Sequence, residues 1–133
     1  DLNVPGNDVL TYNPDKARKL WKQANSIKPW NDTFQIGYNA DGGNQQWVDA
    51  VCNNLHQVLG ITAYGKAYPT FKQFRDEITQ RTIKIAFRSG WAGDYPSVYN
   101  FLQPLYMTGA SSNDGNYSSP AFDKLISWAR RCV

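Results

Sequence analysis

Strand-like and helical segments alternate through the middle of the chain, and this alternation constrains the fold more than any other feature. Apolar residues at every second position predict a first strand through Phe34, Ile36 and Tyr38. Further strands are predicted at Ile61–Tyr68 and Ile83–Phe87, with a helical segment before each of them. Short connections in such an order are typical of α/β folds whose strands pair mostly in parallel. The sequence therefore predicts a three-layer-like α/β arrangement, with a mostly parallel sheet flanked by helices.

Two helices are predicted within this alternation. The longer one runs from about Asn44 to Leu59, and Gly60 is placed to end it in the left-handed conformation. Its core face is predicted from the helical spacing of six apolar residues: Trp47, Val48, Val51, Leu55, Val58 and Leu59. A shorter helix opens at Pro69. Its inward face is predicted to consist of Phe71, Phe74 and Ile78.

Three more helices are predicted outside the alternation, opening at Asn13–Asp15, at Pro96 and at Ser119–Pro120, where caps or first-turn prolines occur. Their inward faces are predicted from the same spacing: Ala17, Leu20, Trp21 and Ala24 in the first, Val98, Phe101, Leu102 and Leu105 in the second, and Phe122, Leu125, Ile126 and Ala129 in the third. Turn-forming residues predict loops at Ser26–Asn31 and Met107–Ser118.

Composition favours one ordered domain covering residues 1–133. Hydrophobic residues make up 41% of the chain and charged residues 19%, and the aromatic residues include 5 Trp, 8 Tyr and 6 Phe. This much aromatic surface offsets the entropy lost when the chain becomes ordered. The net charge of +3 comes without a dense basic cluster, so a nucleic-acid partner is not expected.

No apolar run approaches the length that a membrane-spanning helix needs, and the polar opening Asp1–Asn3 has no signal-peptide pattern. We therefore expect a processed chain or a piece cut from a longer protein.

Cys52 and Cys132 are expected to be buried free thiols, and one disulfide between them is the alternative in an exported protein.

Signatures of catalysis or metal binding are sparse. The chain has no nucleophile elbow, phosphate-binding loop, dinucleotide fingerprint or zinc-protease motif. The single histidine, His56, falls on the polar side of a predicted helix and has no titrating partner in view, so it is assigned a structural role. Asn113–Asn116 lacks the ligand pattern of a calcium loop and is predicted to be a turn. The sequence predicts no enzyme, no cofactor and no metal site.

The stretch with the clearest functional signal follows the third predicted strand. Arg88, Gly90, Trp91, Gly93 and Asp94 come directly after that strand and before the next helix. Ligands of open α/β sheets bind beyond the carboxyl ends of the parallel strands. Opposite charges, two glycines and an indole would suit a zwitterionic ligand held close to the backbone. The alternative is an Arg88–Asp94 salt bridge with the Trp91 ring packed on the sheet.

Three ordered motifs resemble one known family. They are Gly90–Tyr95, with the sequence Gly-Trp-Ala-Gly-Asp-Tyr, then Asn100–Leu102, and finally Tyr117–Asp123. Together with the helix start at Tyr12–Ala17, they are similar to the C-terminal lobe of the family 5 extracellular solute-binding proteins. These proteins are the oligopeptide and dipeptide receptors of bacterial ABC importers. The resemblance runs from about residue 12 onward and implies a lobe of the periplasmic-binding-protein type II fold.

The resemblance also implies roles for single residues. Asp94 matches the carboxylate that usually pairs with the α-ammonium of a bound peptide, and Arg88 matches an arginine that in some members meets a peptide carboxylate. Trp91 would form a wall of the cleft. The backbone of the same segment, including Gly90 and Ala92, would pair with the peptide main chain like an added strand.

At the level of the whole protein, the resemblance implies a C-terminal lobe whose N-terminal lobe is missing from the chain. The partners would be a peptide ligand, that missing lobe and an ABC permease, and the location would be extracytoplasmic, with a lipid anchor in the full-length parent. A relative that binds an oligosaccharide or a nickel complex remains the alternative. A small hydrolase is disfavoured because no nucleophile–base pair is visible.

Overall fold

A computed structural model of the protein describes residues 10–130. The elements in this range, in chain order, are α1 (Pro14–Ile27), β1 (Phe34–Asn39), α2 (Gln45–Leu59), β2 (Ala63–Tyr68), α3 (Phe71–Thr79), β3 (Ala86–Phe87), α4 (Tyr99–Tyr106) and α5 (Pro120–Ala129). They fall into two compact units. The sheet unit comprises residues 10–71 and Ile85–Phe87, and the helix unit comprises Lys72–Lys84 and residues 88–130.

The sheet unit holds three strands in the order β2-β1-β3, and both pairs are parallel. The register places Phe34 opposite Ala63 and Ile36 opposite Ala86. The α/β class with parallel pairing is therefore confirmed. The third strand is shorter than predicted, because only Ala86–Phe87 of the expected five residues pairs with β1.

The core of the sheet unit lies between α2 and the strands β1 and β2. Its buried apolar residues are Ile36, Tyr38, Val48 and Cys52. All residues of β1 from Ile36 to Asn39 are buried, so this central strand is covered on both faces. Alternation in the sequence indicated only one buried face. The buried amide of Asn39 is satisfied locally, since its Nδ2 donates to Asp41 Oδ1 at 2.6 Å.

The inward stripe of α2 is narrower than its apolar pattern predicts. Val48 and Cys52 are buried, whereas Trp47 is 44% exposed and Val51 is 41% exposed. Consecutive residues of a helix lie about 100° apart around its axis. Trp47 and Val51 therefore project to one side of the buried line formed by Val48 and Cys52. Their assignment to the core is wrong. The Trp47 indole is held at the helix start, where its Nε1 donates to Asn44 Oδ1 at 3.1 Å.

The predicted start of α1 is confirmed, because the Asn13 side chain accepts a hydrogen bond from the Lys16 backbone N–H at 2.9 Å. The helix continues to Ile27, two residues into the predicted loop. It packs on α2 but contains no fully buried residue, and Leu20 and Ala24 of the predicted stripe are exposed.

The helix unit contains most of α3, with Phe74 and Ile78 buried as predicted, and the pair α4 and α5. The helix α4 begins at Tyr99 and not at Pro96. Pro96 lies in a tight turn closed by the Ser97 N–H, which donates to the Tyr95 carbonyl at 2.8 Å. The predicted inward positions that are exposed instead are Phe71, Val98, Phe101 and Leu125.

The predicted loop Met107–Ser118 is confirmed, and one buried asparagine organises it. Asn113 Nδ2 donates to the carbonyls of Met107 and Tyr117 at 3.1 and 2.8 Å, and its Oδ1 accepts from the Tyr117 N–H at 2.9 Å. Arg75 of α3 pairs with Asp114 in the same loop. The predicted cap of α5 is also present, since Ser119 Oγ accepts from the Phe122 N–H.

The Cys52 thiol is free and buried, as predicted, whereas Cys132 lies outside the described residues.

None of the helices within residues 10–130 has both the length and the apolar character that crossing a membrane requires.

Candidate ligand-binding site

The residues predicted to bind ligand lie on one loop of the helix unit, which we call the Gly-Trp loop (residues 88–95). It follows β3 in the chain and leads through the turn at Pro96 into α4. Residues 89–93 belong to no helix or strand. All five predicted site residues are therefore neighbours on a single irregular segment, and α4 determines how that segment is held.

A buried side chain of α4 fixes the end of this loop. The Asp94 backbone N–H donates to Asn100 Oδ1 at 2.6 Å, and Asn100 is only 7% exposed. The Asn100 backbone is itself fixed in the first turn, where its N–H donates to the Ser97 carbonyl at 3.1 Å. The Tyr99 N–H donates to Ser97 Oγ at 3.2 Å. The position of the Asp94 backbone is thus set by the start of the helix.

Gly93 is required by packing at the same place. A Cβ atom at this position would lie 2.9 Å from Phe101 Cε2 and 3.4 Å from Asn100 Oδ1. The first distance is shorter than side-chain contacts allow, and the obstacle is a ring on α4. The absence of a side chain lets the loop approach α4 closely enough for the Asp94–Asn100 hydrogen bond to form.

Asp94 is exposed, although its backbone N–H is held by this anchor. Within residues 10–130, no hydrogen bond or ion pair engages its carboxylate. The alternative in which Asp94 is tied to Arg88 by a salt bridge is therefore not observed. Gly90 and Ala92 are exposed on the same loop, and a Cβ atom at Gly90 would meet its nearest neighbour, Arg88 Nη1, only at 3.6 Å.

Arg88 is half-buried at the start of the Gly-Trp loop. Its guanidinium carbon lies 5.9 Å from the centroid of the Phe74 ring, at the outer limit of a cation–π contact. Phe74 is buried in α3, so it offers a fixed apolar platform under the guanidinium. This contact places the charge of Arg88 at the start of the loop that carries Asp94.

Trp91 is half-buried, and its indole Nε1 is completely buried without a hydrogen-bond partner among the described residues. A buried donor without an acceptor costs about 1–3 kcal/mol. Among residues 10–130, the Trp91 N–H is thus a donor without an acceptor at the candidate site.

Two residues that organise the helix unit were not singled out by role in the sequence. Asn100 and Asn113 are both buried amides that hold backbone groups of neighbouring loops. The sequence signal for Asn100 is a polar amide in the first turn of a mostly apolar helix, shortly after a glycine-containing loop. For metals, the residues that the structure describes contain no group of three or more His, Cys, Asp or Glu side chains suited to hold an ion.

A sequence model of one protein family matches residues 2–113, and its description is "Bacterial extracellular solute-binding proteins, family 5 Middle". This match covers most of the chain. The chain belongs to the family 5 bacterial extracellular solute-binding proteins. The Gly-Trp loop and Asn100 lie inside the matched range, whereas the motif Tyr117–Asp123 lies beyond it.

Two characterised relatives support the same assignment for this family 5 chain. The periplasmic oligopeptide-binding protein OppA of Salmonella typhimurium is 32% identical over 112 residues, which is 84% of this chain and 20% of that protein. A dipeptide-binding protein of Lactococcus lactis is 34% identical over 119 residues, which is 85% of this chain and 20% of that protein. The chain therefore spans about one fifth of the length of these relatives, both of which are binding proteins by name.

Solved structures match the fold. The OppA structure from Burkholderia pseudomallei superposes with a TM-score of 0.72 at 29% identity, covering 87% of this chain and 22% of that chain. Listeria monocytogenes OppA bound to peptide gives a TM-score of 0.73 at 24% identity, covering 87% and 23%. These neighbours confirm the fold class predicted from the sequence.

Proposed function

We propose that this chain is the ligand-binding lobe of the solute-binding protein of an ABC importer and that it captures extracytoplasmic peptides for uptake. The observation that carries the proposal is the Asp94 carboxylate, which is exposed, has no partner among residues 10–130, and lies on a loop whose backbone is anchored to α4. The names of the relatives, an oligopeptide-binding and a dipeptide-binding protein, support a peptide as the ligand.

Asp94 would receive the α-ammonium group of the peptide. Burying an ammonium ion without a partner is costly, and an ionised acceptor makes a hydrogen bond about twice as strong as a neutral one. An anchored backbone reduces the freedom that the carboxylate must lose on binding. Asp94 would therefore contribute both affinity and selection for a free amino terminus.

The remaining members of the site would hold the rest of the peptide. The exposed backbone at Gly90 and Ala92 would pair with the peptide main chain as an added strand. Arg88 would meet the terminal carboxylate of short peptides, and Trp91 would form one wall. This division recognises the peptide backbone and leaves the side chains of the ligand to roomy, hydrated pockets.

The larger assembly belongs to the same proposal. Residues 1–133 would form a single domain, the C-terminal lobe of a two-lobed receptor, and an N-terminal lobe would complete the cleft. A membrane permease would take over the peptide, and a lipid anchor would keep the full-length parent at the outer face of the membrane. The lobe would bind without catalysing any reaction.

Calorimetric titration of the full-length receptor that contains this chain tests the proposal. The ligands are alanine peptides of two to five residues, a maltooligosaccharide and a nickel chelate. We expect saturable heat with at least one peptide and none with the other two. Binding of the sugar or the chelate without any peptide binding would overturn the proposal in favour of a relative with a different cargo.

A further inference from the structure

Asn100 fixes the backbone of the residue that carries the candidate ammonium-binding carboxylate. We propose that Asn100 is a positioning residue for ligand selection: it holds Asp94 where the carboxylate can receive a free amino terminus. This inference rests on the proposed function, and it assigns a part of the binding selectivity to a side chain that does not touch the ligand.

The contact that carries the proposal is short and sheltered. Asn100 Oδ1 accepts the Asp94 N–H at 2.6 Å, and the residue is 7% exposed, so water competes little for this hydrogen bond. Because the bond is to the backbone, it fixes the Cα atom of Asp94. With the backbone restrained, the two side-chain torsions of the aspartate place the carboxylate.

The Asn100 side chain is an uncharged amide, and this matters for the charge of Asp94. It holds the loop through a backbone hydrogen bond and donates none to the carboxylate of Asp94, so the full negative charge stays available to a ligand. A cationic anchor at the same place would compete with the ligand ammonium. Anchoring through the backbone N–H therefore separates the task of positioning the loop from the task of binding the ligand.

The next residue of α4 packs against the neighbouring residue of the loop. The Phe101 ring lies so close to Gly93 that a Cβ atom there would be 2.9 Å from Cε2. Consecutive residues of α4 thus fix consecutive residues of the Gly-Trp loop: Phe101 contacts Gly93, and Asn100 binds Asp94. Displacing either contact should move the carboxylate without removing it.

The test compares peptides with free and with N-acetylated amino termini, using the full-length receptor and the alanine peptide that binds it best. The variant is Asn100→Ala. The matched control is Asn113→Ala, which removes another buried amide of the same unit, whose three side-chain hydrogen bonds all stay within residues 107–117. Dissociation constants are measured by calorimetry, and melting temperatures are recorded for both variants.

We expect Asn100→Ala to lower the preference for the free amine about tenfold, because the Asp94 carboxylate is no longer held in place, and to change the affinity for the acetylated peptide much less. Asn113→Ala should lower the melting temperature and keep the preference. An unchanged preference in Asn100→Ala would overturn the positioning role.

Two further measurements keep the outcomes distinct. Gly93→Ala disturbs the same contact from the exposed loop side, so it tests the proposal even if Asn100→Ala does not fold. It should lower the preference for the free amine in the same way.

Asp94→Asn reports on the proposed function itself. If Asp94→Asn abolishes the preference while Asn100→Ala and Gly93→Ala retain it, the positioning role fails and peptide binding at Asp94 stands. If the unmodified receptor shows no preference for a free amine, the role proposed for Asp94 fails as well.

Discussion

Cys52 illustrates how the position of a single side chain changes its chemistry. The thiol lies on the buried line of α2 beside Val48, in the core of the sheet unit. Burial raises its pKa above the ordinary value for cysteine, and the nearby Asp49 carboxylate raises it further. The thiolate is the reactive form of cysteine, so this residue should be inert in the folded protein.

The raised pKa of Cys52 predicts a loss of stability at alkaline pH. The unfolded chain gives up the thiol proton near its ordinary pKa of about 8.5, while the folded chain retains it to higher pH. The contribution of Cys52 to the free energy of unfolding is therefore complete below that pH and decreases above it. Urea unfolding between pH 7 and 10 in a Cys132→Ser background measures this.

The control for that experiment is Cys52→Ala in the same background. Its stability should fall less steeply above pH 8.5, because other groups titrate equally in both proteins. Parallel pH profiles for the two proteins would show that burial of Cys52 has no effect on its titration.

Single residues were predictable where the reason is local. The caps Asn13 and Ser119 and the left-handed Gly60 depend on neighbours within four residues, and all three are confirmed. Asn100 was seen only as part of a motif, because its partner is the backbone of a loop whose path depends on tertiary packing. The predicted roles of Asp94, Arg88 and Trp91 remain predictions.

At the scale of elements, order and type follow from the sequence more closely than inward faces do. The helix α5 is an example, since both Leu125 and Ile126 were predicted to face inward. The structure leaves Leu125 65% exposed and Ile126 only 5% exposed. Apolar spacing defines a broad stripe, and only the packing partner, here α4, decides which part of it is covered.

This difference within α5 predicts unequal costs for two adjacent substitutions. Ile126→Ala should lower the free energy of unfolding by about 2–4 kcal/mol, because it leaves a cavity in a packed site. Leu125→Ala should change it by less than about 0.5 kcal/mol, as expected for an exposed position. Denaturant unfolding of the chain measures both. Equal losses in the free energy of unfolding would mean that the surface of α5 around Leu125 is also buried in solution.

The strand β2 depends on a residue without a side chain. A Cβ atom at Gly65 would lie 2.7 Å from Val48 Cγ1 and 2.8 Å from Tyr38 Cε1, both in the core. Gly65→Ala should therefore destabilise the chain by about 1–3 kcal/mol through overpacking. Gly115→Ala is the matched control, since a Cβ atom there meets nothing within 4 Å. A Gly65→Ala protein as stable as the control would contradict the close packing of α2 on β2.

At the scale of the whole molecule, the chain exposes many large apolar side chains, among them Leu20, Ile27, Val98 and Trp128. It spans about one fifth of the length of its characterised relatives. Local patterns predicted the parallel α/β class and the family, because both are encoded in segments that this chain contains. The two-lobed cleft remains a proposal, because no local pattern in these 133 residues specifies what the exposed apolar side chains contact.

The central claim is that Asp94 binds the amino terminus of a peptide, and one measurement in the full-length receptor tests it most directly. The affinities of Asp94→Asn and of the unmodified receptor are compared for a free and an N-acetylated alanine peptide. Asparagine keeps the shape and removes the charge, so the affinity for the free peptide should fall by a factor that corresponds to about 2–5 kcal/mol. The acetylated peptide should bind both proteins weakly and almost equally. A variant that melts at a much lower temperature but binds the free peptide as tightly as the unmodified receptor would contradict the claim.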